Sequence, residues 1–125
     1  MARILIADDH PDIRAGVRAL LSRNPDCEVC GEAKNGREAV EKVQQLVPDL
    51  IVLDVSMPVM GGIEAAREIR RIAPATKIIL FSMYEDRQTE TAGRQAGADA
   101  IIRKSEAATS LMPAVERLSN GHGRG

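Results

Sequence analysis

Five short apolar runs alternate with segments of helical period, and this alternation limits the possible folds more than any single residue does. The runs are RILIAD (3–8), CEVCGEA (27–33), LIVLDV (50–55), KIILFS (77–82) and AIIR (100–103). Each has the length and side-chain content of a strand. Between them apolar residues recur three or four positions apart: Ile13, Val17, Leu20 and Leu21, then Val40, Val43 and Val47, then Ile63, Ala66 and Ile69. Leu111, Val115 and Leu118 repeat the pattern after the last run. Strands apolar on both faces and separated by helices predict a parallel sheet covered on both sides.

The breakers agree with this partition. Pro11 suits the first turn of a helix, where its missing N–H costs nothing, and Asn35-Gly36 opens the second helix. MPVMGG (57–62) separates the third strand from its helix, and Pro74 and Gly97 follow the third and fourth helices. Pro113 would break a helix interior, so the fifth helix is expected to be capped near Thr109 or Ser110. The fourth helix has the weakest signal: Thr89, Ala92 and Ala96 are its sparse inner positions, and Gly93 costs about 1 kcal/mol against alanine. It is expected to be loosely held. SNGHGRG carries no element signal, so residues 1–119 are expected to form one domain and 120–125 a flexible tail or the start of a linker. The glycine-rich end suggests a truncation ahead of a further domain.

A chain of 125 residues can bury a contiguous core without disulfides. That core must be aliphatic, because Phe81 and Tyr84 are the only aromatic residues. The net charge of −1 and the lack of a basic run give no reason for direct nucleic-acid contact. No apolar stretch approaches the roughly 20 residues of a membrane span, and no signal peptide opens the chain, which predicts a cytoplasmic protein. Cys27 and Cys30 have CxxC spacing, but positions three apart on a strand point to opposite faces. A redox pair or zinc site is therefore not expected; two small residues of a reduced protein are.

Right-handed crossovers gather the carboxyl ends of all strands on one edge, where ligands of open α/β sheets bind at the switch point. The expected class is an α/β, flavodoxin-like, doubly wound five-stranded sheet. Its order, 2-1-3-4-5, is taken over from known sheets of that type rather than deduced from periodicity. At the carboxyl edge the first strand delivers Asp8 and Asp9, the third Asp54, the fourth Ser82 and the fifth Lys104. Three converging carboxylates destabilise a fold unless a cation joins them. Oxygen ligands with room for a phosphate suit Mg²⁺, and Mn²⁺ can replace it. Asp54 is then both a metal ligand and a nucleophile toward phosphorus, with Lys104 and Ser82 contributing a point charge and a hydroxyl to the phosphoryl oxygens.

Taken singly, an Asp at a strand end is a helix cap or a solvated turn residue, but four independent caps building one acidic pocket with a lysine is the poorer explanation. His10, without a second histidine nearby, is expected to be solvent-exposed at the mouth of the pocket rather than catalytic. Met57, Met60 and Met83 are read as packing and loop residues, and Gly61 and Gly62 as backbone requirements.

ILIADDHP, LIVLDVSMPVMGG, FSMYED and AGADAIIRKS together resemble a response regulator receiver domain of two-component signalling, especially the group carrying a C-terminal helix-turn-helix output domain. The resemblance covers residues 3 to about 119. It implies that Asp54 is the phosphoacceptor, that Asp9 ligates Mg²⁺ directly and Asp8 largely through water, and that the carbonyl of Ser56 is the third protein ligand. Ser82 would be the switch hydroxyl and Lys104 the phosphoryl-binding lysine. The implied partners are a sensor histidine kinase, which Arg14 and Val17 of the first helix would reach, and an output domain controlling transcription; the resemblance also admits a homodimer on phosphorylation. The chain would be a regulatory domain with self-catalysed phosphotransfer and slow autodephosphorylation, not a turnover enzyme.

Two positions depart from the family pattern. Ile101 stands three residues before the lysine, where an aromatic ring is usual, and Ser105 follows the lysine in place of proline. Ser56 and Tyr84 flank the expected approach of water to phosphorus and are expected to set the lifetime of the phosphorylated form. An Asp-nucleophile phosphohydrolase would want an acid at the position of Ser56, and a flavin or nucleotide module would want a Gly/Ser/Thr cradle where this chain has Asp8 and Asp9.

Overall fold

The computed structural model describes residues 1–83 and 86–123. Five strands, β1 (Ala2–Ala7), β2 (Cys27–Ala33), β3 (Leu50–Asp54), β4 (Lys77–Ser82) and β5 (Ala100–Arg103), alternate with α1 (Pro11–Leu21), α2 (Gly36–Leu46), α3 (Gly62–Ile72) and α4 (Arg87–Gln95). After β5 a 3₁₀ turn (Lys104–Glu106) leads into α5 (Ala107–Gly123). All strand pairs are parallel, as the sequence predicts, and the order is β2-β1-β3-β4-β5, the one taken over from known sheets of this type.

The inner stretches of β1, β3 and β4 are apolar because each face meets a helical layer, while charged residues such as Arg3, Glu28, Glu32, Lys77 and Arg103 fall at strand ends and on the edge strands. Ile4, Ile6, Val52 and Ile79 pack with Val17 and Leu21 of α1 and Leu111 and Val115 of α5. Leu5, Ile51, Leu53 and Leu80 point the other way, onto α2 and α3. Every residue of β3 is buried, as its place at the centre of the sheet requires. Cys27 belongs to the first layer and Cys30 to the second, so the two thiols lie on opposite faces and are free. The register of β2 against β1 slips between Ile4 and Leu5, whose partners are Val29 and Gly31, leaving Cys30 as the extra residue of a bulge.

The local signals act as read. Pro11 occupies the first turn of α1. The Asn35 side chain caps α2 by accepting from the Glu38 N–H at 2.8 Å. No helix among the described residues is long and apolar enough to cross a membrane.

Three expectations change. Helix α5 begins at Ala107, ahead of Thr109 and Ser110, and runs through Pro113. Proline removes one backbone hydrogen bond and costs about 3 kcal/mol in a helix interior. Leu111 and Val115, fully buried on either side of it, each return about 1.5–3 kcal/mol, so the helix survives. At its far end α5 continues to Gly123, into the SNGHGRG stretch that carries no element signal. Asn120 and Gly121 each cost about 1 kcal/mol or less, too little to stop a helix already nucleated. Gly93, counted from sequence only as a cost to α4, is a packing requirement. A Cβ there would stand 2.7 Å from Leu80 Cδ1 and 3.0 Å from Ile101 Cδ1, so its absence lets α4 settle against β4 and β5.

Val47 ends α2 in the left-handed region, with φ of 47°. That conformation costs a β-branched residue roughly 1–2 kcal/mol, more than the extra chain entropy of glycine, about 0.5–1 kcal/mol. The Val47 side chain is 68% exposed, so little packing is lost on removing it. Val47→Gly is expected to raise the thermal unfolding midpoint by about 2–4 °C. Circular dichroism melts of the two proteins check this, and a lower midpoint for the variant would refute it.

Candidate functional site: an acidic pocket at the carboxyl edge

Chain direction in a parallel sheet brings the ends of β1, β3, β4 and β5 to one edge, and the side chains just past those ends form the pocket. Asp8 follows β1 with its N–H donating to the Ala33 carbonyl of β2 at 3.0 Å, which continues the ladder by one bond. Asp54 closes β3, and the next residue, Val55, donates to the Phe81 carbonyl of β4 at 3.0 Å. Asp8 and Asp54 are each only 2% exposed. Gly62 makes the sharp return into α3 possible: a Cβ there would lie 2.0 Å from the Asp54 carbonyl oxygen.

Lys104 enters from the turn after β5 and bridges the two acids. Its Nζ lies 3.0 Å from Asp8 Oδ2 and 3.1 Å from Asp54 Oδ1. Burial by itself would lower the pKa of this ammonium, but its hydrogen bonds and attraction to Asp8 and Asp54 outweigh that, and the net shift is upward. Asp54 is pushed above the usual carboxylate range, first by burial and then by repulsion from Asp8, with Lys104 and the Ser56 N–H opposing. That N–H donates to Asp54 Oδ1 at 3.3 Å, leaving Asp54 Oδ2 buried with no hydrogen-bond partner among the described residues.

Sequence reasoning therefore named the acids and the lysine that the fold brings together. Ser82, the last residue of β4, is also buried at this edge, and Ser56 is exposed at its mouth. Tyr84 lies outside the described residues. His10 is exposed as expected, at 60% of its side chain, but its ring does not stand clear of the pocket. Its Nδ1 lies 3.2 Å from Asp8 Oδ1 and 3.1 Å from Asp9 Oδ1. Adjacency in DDH, with His10 as the N-cap of α1, is the signal that placed it there.

Two residues assigned from the resemblance to a kinase-facing surface do other work. Val17 is 3% exposed and belongs to the core, because its position in α1 faces the sheet. Arg14 donates to the Asp8 carbonyl at 2.6 Å and to Glu32 Oε1 at 2.8 Å, tying the acidic loop to β2. Arg18 also donates to Glu32, and this hydrogen bonding holds the Glu32 carboxyl below its ordinary pKa despite partial burial.

The pocket fits a divalent ion on its own geometry. One ligand atom from each of Asp8, Asp9, His10 and Asp54 can be chosen so that all lie within 4.8 Å of one another. Asp8 and Asp54 share one ammonium between them, Asp9 lies outside that bridge, and Asp9 Oδ1 and Asp54 Oδ2 are buried oxygens that no donor among the described residues satisfies.

A doubly wound parallel sheet with buried carboxylates and a lysine at its switch point defines a class of acid-pocket α/β domains. Residues 4–116 match the response regulator receiver domain family, and the chain belongs to it. It is 37% identical over 120 residues to the nitrate/nitrite response regulator protein NarL of Escherichia coli (strain K12), a match covering 96% of this chain and 56% of that protein. The chain thus spans about half the length of that curated relative. Among solved structures, a two-component response regulator of the LuxR family from Aurantimonas sp. SI85-9A1 has a TM-score of 0.92 at 36% identity, covering 97% of this chain and 86% of the other. The signal receiver domain of a NarL response regulator from Mycobacterium tuberculosis has a TM-score of 0.91 at 32% identity, covering 96% and 97%.

The raised pKa of Asp54 has a sign that can be checked. An acid whose folded pKa lies above its unfolded value loses its proton first in the unfolded chain, so deprotonation favours unfolding as pH rises beyond about 3.9. The penalty is complete above the folded pKa. Asp54→Asn is therefore expected to stabilise the metal-free domain at pH 8 by on the order of 1 kcal/mol, with the gain shrinking toward pH 4. Urea unfolding at the two pH values measures this; a gain that grows on acidification would contradict it.

Proposed function

We propose that the domain is a phosphorylation-controlled switch with Asp54 as acceptor, fed by a phosphohistidine of a sensor histidine kinase or by a small acyl phosphate. The observation that supports this most is the state of Asp54: buried, held at Oδ1 by Lys104 and the Ser56 N–H, and unpartnered at Oδ2 among the described residues. A carboxylate oxygen of Asp54 forms the new bond to phosphorus as the donor's P–N or P–O bond breaks. The donor group leaves with the electron pair, the imidazole of a phosphohistidine taking a proton from solvent and an acyl donor departing as its carboxylate. Asp8, Asp9, Asp54 and the Ser56 carbonyl would hold Mg²⁺, or Mn²⁺, Asp8 largely through water, and the ion would offset charge on the acceptor and phosphoryl oxygens. Lys104 transfers its attraction from the carboxylates to a phosphoryl oxygen, and the Ser82 hydroxyl donates to another.

The response travels toward α4, β5 and α5. Within α4 only Gly93 is buried, and a groove of about 490 Å³ separates the helix from β5 and the 3₁₀ turn, lined by Arg87, Glu90, Ile101 and Arg103 among others. A helix held at so few points shifts at low cost. With Ile101 in place of an aromatic ring, no ring rotation carries the signal. The Ile101 side chain instead meets α4 at Gly93, so a small movement of β5 is passed on by packing. In the full protein the recipient is an output domain of the helix-turn-helix type controlling transcription in the cytoplasm, with a homodimer as the phosphorylated form. The domain's own chemistry is limited to accepting the phosphoryl group and losing it slowly to water.

Intact mass after incubation with acetyl phosphate and Mg²⁺ tests the reading. Wild type is expected to gain one phosphoryl group, Asp54→Asn none, and chelation of the metal should abolish the gain; labelling of Asp54→Asn to the wild-type extent would sink it. Once labelled, a variant replaced at both Ser56 and Tyr84 is expected to change its rate of phosphoryl loss severalfold. An unchanged decay would remove those side chains from control of the lifetime.

A further inference from the structure

We propose that His10 is a side-chain donor of the same pocket and biases it toward divalent ions that favour imidazole, such as Ni²⁺ and Co²⁺. This rests on reading the pocket as a divalent-ion site and adds a nitrogen ligand to it. Lys104 is paired with one oxygen of each buried acid, Asp8 Oδ2 and Asp54 Oδ1. Of the remaining oxygens, Asp8 Oδ1 accepts from the His10 N–H, Asp9 Oδ1 and Asp54 Oδ2 are buried with no hydrogen-bond partner among the described residues, and the His10 ring lies against Asp8 Oδ1 and Asp9 Oδ1.

The spacing is that of neighbours on one ion. Two donors at right angles with bonds of about 2.1 Å stand about 3.0 Å apart. His10 Nδ1 lies 3.1 Å from Asp9 Oδ1, the acid read as a direct ligand, while its 3.2 Å approach to Asp8 Oδ1 is a polar contact with the acid read as acting through water. The independent sign of a missing ligand is Asp54 Oδ2, on a side chain 98% buried (2% exposed), with no hydrogen-bond partner among the described residues.

The ring's position follows from a fixed backbone. The His10 N–H donates to Asp8 Oδ1 at 2.9 Å, and its carbonyl accepts from the Arg14 N–H at 3.1 Å as the first bond of α1. Its side chain makes no capping hydrogen bond to the helix, so the imidazole is not committed elsewhere in α1. Carboxylate and water suit Mg²⁺, whereas imidazole suits later first-row metals, whose affinities for any such site rise along the series to copper. A carboxylate-only pocket already prefers Ni²⁺ to Mg²⁺ modestly, so the contribution of His10 is the part of that preference lost on its removal.

Calorimetric titration of the metal-free domain with Mg²⁺ and, separately, Ni²⁺ tests this in a His122→Ala background, which removes the other histidine of the chain. His10→Ala is expected to lower the ratio of Ni²⁺ to Mg²⁺ affinity at least tenfold. X-ray absorption of the Ni²⁺ form should show imidazole scattering before the substitution and none after it. An unchanged affinity ratio, or imidazole-free spectra for both proteins, overturns the proposal. The Mg²⁺ titration of the parent separates the two ideas: silence there counts against the ion-site reading itself, while a normal Mg²⁺ isotherm with an unaltered ratio counts against His10 alone.

Discussion

One ammonium held between two buried carboxylates joins the outer part of the sheet to its centre. Lys104 arrives from the turn after β5, Asp8 from the end of β1 and Asp54 from the end of β3, the central strand. Such a bridge is weak evidence for stability, since stripping water from three charges costs several kcal/mol per ion before attraction returns any of it. Its value lies in what it leaves undone. The pocket retains excess negative charge and a buried oxygen of Asp54 without a donor among the described residues, so it is completed only by something positive or by something Lys104 prefers.

The opposite edge shows how the same fold treats an acid it does not need for chemistry. Asp99 takes a hydrogen bond from the Ile78 N–H at 2.8 Å and pairs with Arg70 at 2.7 Å, while Arg70 also donates to the Gly97 and Pro74 carbonyls. Asp49 accepts from the Arg3 N–H at 2.8 Å. These carboxylates are satisfied by backbone and guanidinium, and they staple loops. Asp8 and Asp54 each also take one backbone N–H, from His10 and Ser56, but the cation they share is one flexible lysine, an arrangement that can be rearranged without unravelling a strand.

The sheet and the acids could be read from the chain because both follow from period and position. Strands buried on both faces must be apolar without alternation, and residues just past their ends must share an edge once the strands are parallel. What escaped depended on distances that period does not carry. Gly93 reads as a helix defect until Leu80 and Ile101 are seen to occupy the space of its missing Cβ. Pro113 reads as a helix start until the buried neighbours Leu111 and Val115 outweigh it. Val17 stands both in the apolar repeat of the first helix and in the kinase-facing pair taken from the resemblance, and its burial decides for the repeat, whereas the reach of the Arg14 guanidinium back to the Asp8 carbonyl is not visible from spacing.

Ile101 brings these strands of argument together. A ring at that position could move as a discrete rotor, whereas a branched aliphatic side chain is stiff at χ1 and responds mainly by translating with its strand. The partner it meets is the one position of α4 where no side chain intervenes, Gly93. Close backbone approach makes that contact sensitive to displacements of a few tenths of an ångström, because packed interfaces yield in steps rather than continuously. A loosely anchored helix and a tight contact at Gly93, shared by Leu80 of β4 and Ile101 of β5, are therefore complementary: the first keeps the cost of movement low, and the second ensures that movement of β5 is felt.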